Sequence, residues 1–336
     1  MNQKKVGKQT YLFSRPLPIL SSAAVVGKKE GDGPLGNYFD EIVLDPLYGE
    51  RSWELGESKM VRRAMDLALA QINLAYGDLD IMFGGDLLNQ IIAANFAARH
   101  VPVPFFGLFG ACSTFSEALA LAGIALDGDF VSQVLVTASS HYQTAERQFR
   151  YPTELGVQRK PTAHWTVTGA VATIVGSSGS GVALTGITVG QVIDMGIKDV
   201  NDMGSAMAPA AVDTIQQHLQ DTGRQPSYYD VIATGDLGSL GKGLAQDMLA
   251  EAGYDVENNY TDCGVLIFNP DQDTHAGGSG CACSAAVFSG YFYPRLMNGN
   301  LQRMLLVSTG ALLSPTSYQQ GESIPAIAHA VAIEKV

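Results

Sequence analysis

Cysteine is scarce in this chain: Cys112, Cys263, Cys281 and Cys283 are the only four in 336 residues. Cys281-Ala-Cys283 is too tightly spaced for a zinc knuckle, and no second pair completes a four-ligand set. They read as buried free thiols, which fits a reducing compartment. Charge is sparse as well, at 16% of residues, and positive charge is the scarcer sign: 21 Lys and Arg against 33 Asp and Glu give a formal net charge of −12. That balance argues against a nucleic-acid backbone as partner and against a basic membrane-docking surface. No hydrophobic run approaches the roughly 18 residues a membrane helix needs. The polar start Met1-Asn-Gln-Lys-Lys-Val-Gly-Lys-Gln9 has no signal-peptide character. The expectation is a chain made in soluble form in the cytoplasm, with any membrane association coming through a partner.

What the sequence has in plenty is glycine, 37 residues, and hydrophobic side chains, at 46%. Together they describe a dense, turn-rich globular protein, long enough for one large domain or two halves. The chain is organised around Gly110-Ala-Cys-Ser-Thr114, which ends an apolar run and precedes the helix-forming segment Phe115 to Leu126. Strand, small-residue turn, cysteine and helix follow in order, placing the Cys112 sulfur at a helix N-terminus. Three readings stay open there. The thiolate is stabilised as a nucleophile, the helix end receives a ligand carboxylate, or Cys112 is a small buried hydrophobe.

Other segments fall into place around it. The spacing of Val61, Ala64, Met65, Ala68 and Ile72 predicts a helix over Ser58 to Leu74. Leu79 to Asp86 and Gln133 to Ser139 read as buried strands, Leu88 to Arg99 as a helix, and residues 1–50 as loops around short strands such as Thr10-Tyr-Leu-Phe13. The second half then repeats the first. Tyr229 to Asp236 matches Leu79 to Asp86 at an offset of 150 residues. Cys283, Asn298-Gly299 and Leu306 to Gly310 match Cys112, Asp127-Gly128 and Leu135 to Ser139 at an offset of 171, and Ile327 to Ile333 matches Val167 to Thr173 at 160. The ordered anchors imply an internal duplication, with halves 1–178 and 179–336. Each half is expected to be a mostly parallel sheet covered by helices, with the two halves packed face to face about a pseudo-twofold and the ligand site at their junction.

The motifs Asp86-Leu-Leu-Asn-Gln90, Phe109-Gly-Ala-Cys-Ser-Thr114 and Thr144-Ala-Glu-Arg-Gln-Phe-Arg-Tyr-Pro-Thr153 carry a family resemblance. So do Asp202-Met-Gly-Ser-Ala-Met-Ala-Pro-Ala210, Ala276-Gly-Gly-Ser-Gly-Cys-Ala-Cys-Ser284 and Thr309-Gly-Ala-Leu-Leu-Ser-Pro315. End to end the chain resembles the thiolase superfamily, nearest among its enzymes to the β-ketoacyl-acyl-carrier-protein synthase III branch. It is closer still to a sporulation branch that does not look enzymatic. The resemblance implies a five-layered αβαβα fold, an α/β class built from two duplicated halves and forming a homodimer. It also implies a part in moving dipicolinic acid (pyridine-2,6-dicarboxylate, held in spores with Ca²⁺) at the spore inner membrane, alongside SpoVA membrane partners. No cofactor is expected beyond Ca²⁺ carried with that ligand.

Condensing enzymes of this superfamily pair the cysteine with a His/His or His/Asn couple from the second half. Here the matching positions read Ala233-Thr-Gly-Asp236 and Ala276-Gly-Gly-Ser-Gly280, so both partners are missing. Of the six histidines, His100 reads as a helix end, His218 as a helix surface, and His164 and His275 as loop residues. His141 follows the buried strand. His329 sits in the loop that closes over the nucleophile in the resembling enzymes, and a Cys112/His329 pair would leave acyl transfer open.

Arg147 and Arg150 are either surface ion pairs or a clamp on a dicarboxylate. Asp86 and Asp236 either cap helices after strands or touch Ca²⁺. The ligand-binding candidates are therefore Cys112 with Ser113 and its repeat mate Cys283, Gly278 and Ser279 beside the ligand ring, Asp86, Asp236, His141, His329 and Arg147. The readings to be separated are a catalytically degenerate binding protein, a Cys112-dependent acyltransferase, and a structural adaptor with a vestigial pocket.

Overall fold

The computed structural model describes residues 4–149 and 159–336. Its first half runs β1 (Thr10–Gly27), α1 (Lys28–Gly31), β2 (Glu41–Val43), α2 (Trp53–Gln71), β3 (Ile81–Gly85), α3 (Ile92–Ala98), β4 (Phe105–Gly107), α4 (Thr114–Asp127), β5 (Gln133–Ser140), α5 (Tyr142–Phe149), β6 (Trp165–Thr166) and β7 (Gly169–Gly176). The second runs β8 (Val182–Thr188), α6 (Met203–Thr222), β9 (Val231–Thr234), α7 (Gly238–Glu251), β10 (Tyr260–Asp262), α8 (Cys263–Leu266), β11 (Gly278–Ser279), α9 (Cys281–Val287), α10 (Tyr293–Met297), β12 (Arg303–Ala311), α11 (Pro315–Gln319) and β13 (Ala326–Lys335).

β1 is the seam of the molecule. Its first stretch, from Thr10 to Pro18, pairs with β8, and its second, from Ile19 to Val26, pairs with β7. The register slips between Leu12 and Leu17 and again between Ile19 and Ser21, around Pro16 and Pro18, which lack the N–H a ladder needs. The main sheet therefore runs β10-β9-β12-β13-β8-β1-β7-β5-β3-β4, with β2 added to β1.

Read outward from the seam, each half has the same order and the same directions. β1-β7-β5 and β8-β13-β12 are antiparallel, whereas β5-β3-β4 and β12-β9-β10 are parallel. The expectation of mostly parallel halves is corrected to mixed sheets. β12 and β13, for instance, are joined with only the five-residue α11 between them, too little to cross over the sheet and return parallel. The 178/179 boundary falls in the turn between β7 and β8.

Three hydrophobic clusters separate the layers. Met60, Val61, Ala64, Met65, Ala68 and Leu69 form the apolar stripe of α2 and pack on the first-half strands. Ala206, Met207, Ala210, Ala211, Ile215 and Leu219 of α6 do the same on the second half. Between the sheets, Phe115, Leu119 and Leu126 of α4 meet Ala285, Val287 and Phe288 at and beyond α9, and α4 touches strands of both halves. Helix, sheet, helix, sheet, helix is the five-layered αβαβα architecture. Its middle layer carries the Cys112 turn at the start of α4 and brings the Ser279 end of β11 against it. Among the described residues, no helix is long and apolar enough to cross a membrane.

Candidate functional site

Cys112 stands on a strained turn. Ala111 before it has φ +49°, unusual for a residue with a Cβ. The turn is closed by its own groups. Ser113 N–H donates to the Gly110 carbonyl (3.0 Å) and Thr114 N–H to the Ala111 carbonyl (3.2 Å). The Ser113 hydroxyl donates to Gly110 O (2.6 Å), the Thr114 hydroxyl to Ala111 O (2.7 Å), and Cys281 Sγ to the same Ala111 carbonyl (3.0 Å). Two helix-start N–H groups that an anion site requires are thus already engaged, and Ser113 faces its own turn.

Facing the sulfur is the end of β11. The pairing of β11 with β6 turns Gly277-Gly-Ser-Gly280 from a glycine loop into a short ladder, and Ser279 Oγ comes to 3.7 Å from Cys112 Sγ. Ser279 in turn donates to Asp236 (2.9 Å), as do Gly280 N–H (3.1 Å) and the Thr309 hydroxyl (2.6 Å). Asp236 is thus a buried carboxylate with both oxygens satisfied by second-half donors. Burial pushes the Cys112 thiol well above its ordinary value, and the neighbouring Asp236 carboxylate pushes it further. The Asp236 carboxylate behind the sulfur thus adds to burial in keeping it protonated. Of the three readings of Cys112, the surroundings favour a neutral thiol, 6% exposed.

The cavity over Cys112 is lined by Leu87, Phe109, Ala111, Ala145, Glu146, Phe149, Thr166, Met203, Ser279, Ala311 and Leu313. Its volume is about 40 Å³, far below the roughly 300–1,000 Å³ of typical small-molecule sites. Among the described residues, no lining side chain is cationic and none is a histidine.

The remaining candidates lie elsewhere. Asp86 accepts from Leu88 N–H and Ala94 N–H (both 2.7 Å), organising the start of α3; burial raises its pKa to about 6. Gly278 packs under β6, and Cys283 donates to Gly235 O (3.3 Å) inside α9. His141 is buried against the Pro46 carbonyl (2.8 Å). His329 is in mid-strand, not in a loop: it sits in β13 opposite Ser308, and its Nδ1 accepts from Gly190 N–H (3.2 Å). Burial lowers its pKa to about 4. Arg147 pairs with Glu54 and lies over the Trp53 ring at 5.6 Å. Arg150 lies outside the described residues.

His218, read as a helix-surface residue, is wholly buried between the Thr188 hydroxyl (2.7 Å) and the Tyr229 hydroxyl (2.6 Å). Of the candidates, then, Cys112 and Ser279 line the cavity, and Asp236 supports them from behind. Reading the sequence missed Glu146, Thr166 and the apolar rim. Glu146 was recoverable, since Phe149 lies three positions on from it in α5 and shares its face; Thr166 gave no signal.

The family model of stage V sporulation protein AD (SpoVAD) matches residues 7–334. A Bacillus subtilis (strain 168) protein of that description is 48% identical over 332 residues, covering 99% of this chain and 98% of the relative. The chain belongs to the SpoVAD family. Among solved structures, it resembles a variant of Xanthomonas campestris OleA (TM-score 0.60, 14% identity, 96% of this chain and 100% of that one). It also resembles the 3-oxoacyl-(acyl carrier protein) synthase III of Pseudomonas aeruginosa PAO1 (TM-score 0.58, 15% identity, 96% and 98%). At that identity the likeness is one of fold, and the fold of this SpoVAD family member is thiolase-like.

Proposed function

We propose that this sporulation protein is a catalytically silent thiolase-fold protein whose ancestral nucleophile pocket binds pyridine-2,6-dicarboxylate as its Ca²⁺ chelate, for uptake into the developing spore with SpoVA membrane partners. The observation that carries the reading is the Asp236 carboxylate behind Cys112. It opposes the thiolate that acyl transfer requires, while Ser279 and the Cys112 thiol remain as neutral polar contacts. Charge selects the form of the ligand. A free dianion would meet Glu146 and the field of Asp236 with no cation in the lining among the described residues, whereas the chelate is nearly neutral and its metal, arriving as cargo, accepts carboxylate oxygens. Entry requires the rim of Phe109, Phe149, Met203 and Leu313 to part, because the cavity is closed to a molecule of that size.

The adaptor reading draws support from the same small volume. Calorimetric titration of the wild type and of Cys112→Ala, with and without Ca²⁺, separates the two. The proposal expects micromolar binding that needs Ca²⁺ and that the substitution weakens by about 1 kcal/mol or more. No binding in either condition would leave the adaptor.

A further inference from the structure

A second cavity, of about 490 Å³, opens between α1, the loop after β2, α2 and the start of α5. Its volume falls within the range of small-molecule sites, some twelve times that of the Cys112 cavity. One wall is apolar, made by Val43, Leu44, Pro46 and Met60. The other holds Trp165, whose indole stacks on Tyr142 with centroids 3.7 Å apart and planes 5° from parallel.

Two cations crowd the same indole: Lys29 Nζ is 3.9 Å from its centroid and the Arg159 guanidinium 4.8 Å. Burial and then the neighbouring Arg159 lower the Lys29 pKa. Asp32 and Glu30 line the cavity as well, Asp32 being ion-paired with Lys28, and Arg159 donates to the Asp273 carbonyl oxygen. Asp273 is 3.9 Å from Arg159 but 83% exposed, where screening leaves it a weak partner. Glu30, on the cavity floor, is pushed up to about 7 by burial. The Arg159 side chain is 5% exposed, yet its buried Nη1 has no hydrogen-bond partner among the described residues. Gln143 lines the cavity, and its buried Oε1 is likewise unpartnered.

We propose that this cavity binds a small organic carboxylate, its anionic group meeting Lys29, with Arg159 adding its charge from beside the indole, and its apolar body lying along Val43, Leu44, Pro46 and Met60. The apolar wall distinguishes such a ligand from a bare inorganic anion. The site lies apart from the Cys112 cavity and does not depend on its ligand.

Calorimetric titration of the full chain with benzene-1,3-dicarboxylate, under chelator so that no Ca²⁺ is present, tests this, with inorganic phosphate as the bare-anion probe. The expected result is a Kd below about 1 mM, weakened at least about tenfold by Lys29→Gln and unchanged by Cys112→Ala. Leu44→Glu supplies a second variant, because Leu44 is 72% exposed at the rim and tolerates substitution; its added charge should weaken binding as strongly. The proposal is overturned if the wild type does not bind the dicarboxylate, if Lys29→Gln and Leu44→Glu both leave binding unchanged, if Cys112→Ala abolishes it, or if phosphate binds as tightly.

Discussion

Cys112 sits in a strained turn, and its surroundings oppose ionisation of its thiol. Burial and the Asp236 charge both favour the protonated thiol, so alkylation by iodoacetamide at pH 8, followed by mass spectrometry, should be far slower than for an exposed cysteine. Asp236→Asn removes the charge while an amide can keep the Ser279 and Thr309 contacts; it should speed that alkylation several-fold. Glu30 gives a second residue-level prediction. Its folded pKa of about 7 lies above the ordinary 4.5, so the native state holds the proton more tightly than the unfolded chain. The stabilisation that goes with that proton is complete below about pH 4.5 and is lost as pH rises through 7, amounting to about 3 kcal/mol. Glu30→Gln should flatten that dependence, so thermal melts of variant and wild type should diverge in the variant's favour between pH 5 and pH 8. The sequence made Cys112, Ser279 and Asp236 legible because a duplication and a missing histidine single them out. Of its two readings of Arg147, the surface ion pair is the one found, because neighbouring helix positions point about 100° apart. Glu146 takes the inward direction and Arg147 the outward one, toward Glu54.

At the scale of elements, the site depends on how closely β12 passes the Cys112 turn. A Cβ on Gly310 would lie 2.2 Å from the Gly110 carbonyl oxygen and 3.1 Å from Ser113 N. Gly310→Ala should therefore destabilise the protein by about 1–3 kcal/mol, read as a lowered midpoint in chemical denaturation. It should disturb the Cys112 turn more than the far side of the second-half sheet. Helical periodicity predicted α2 and α4, and the apolar runs predicted β3 and β5, with ends within a few residues of those found. β1 was not legible as one strand. Pro16, Pro18 and a run of small residues look like punctuation, and the strand continues past them only because its two stretches pair with different sheets. His329 was misplaced for a related reason: its strand is continuous through the position that the family resemblance assigns to a loop.

Across the whole molecule, two mixed sheets joined at β1 enclose a middle layer in which α4 and α9 meet, and this is what brings Ser279 and Asp236 of the second half to Cys112 of the first. The five-layered fold was legible through the repeat offsets and the motif resemblance. The direction of the inner strands was not, because pairing direction depends on connections whose lengths say little by themselves. The central claim is a thiolase-like fold without thiolase chemistry, and intact-mass measurement after incubation with acyl-coenzyme A thioesters tests it most directly. The account predicts no acyl adduct on Cys112 and no thioester turnover. An acyl mass increment on the wild type that Cys112→Ala abolishes would contradict it.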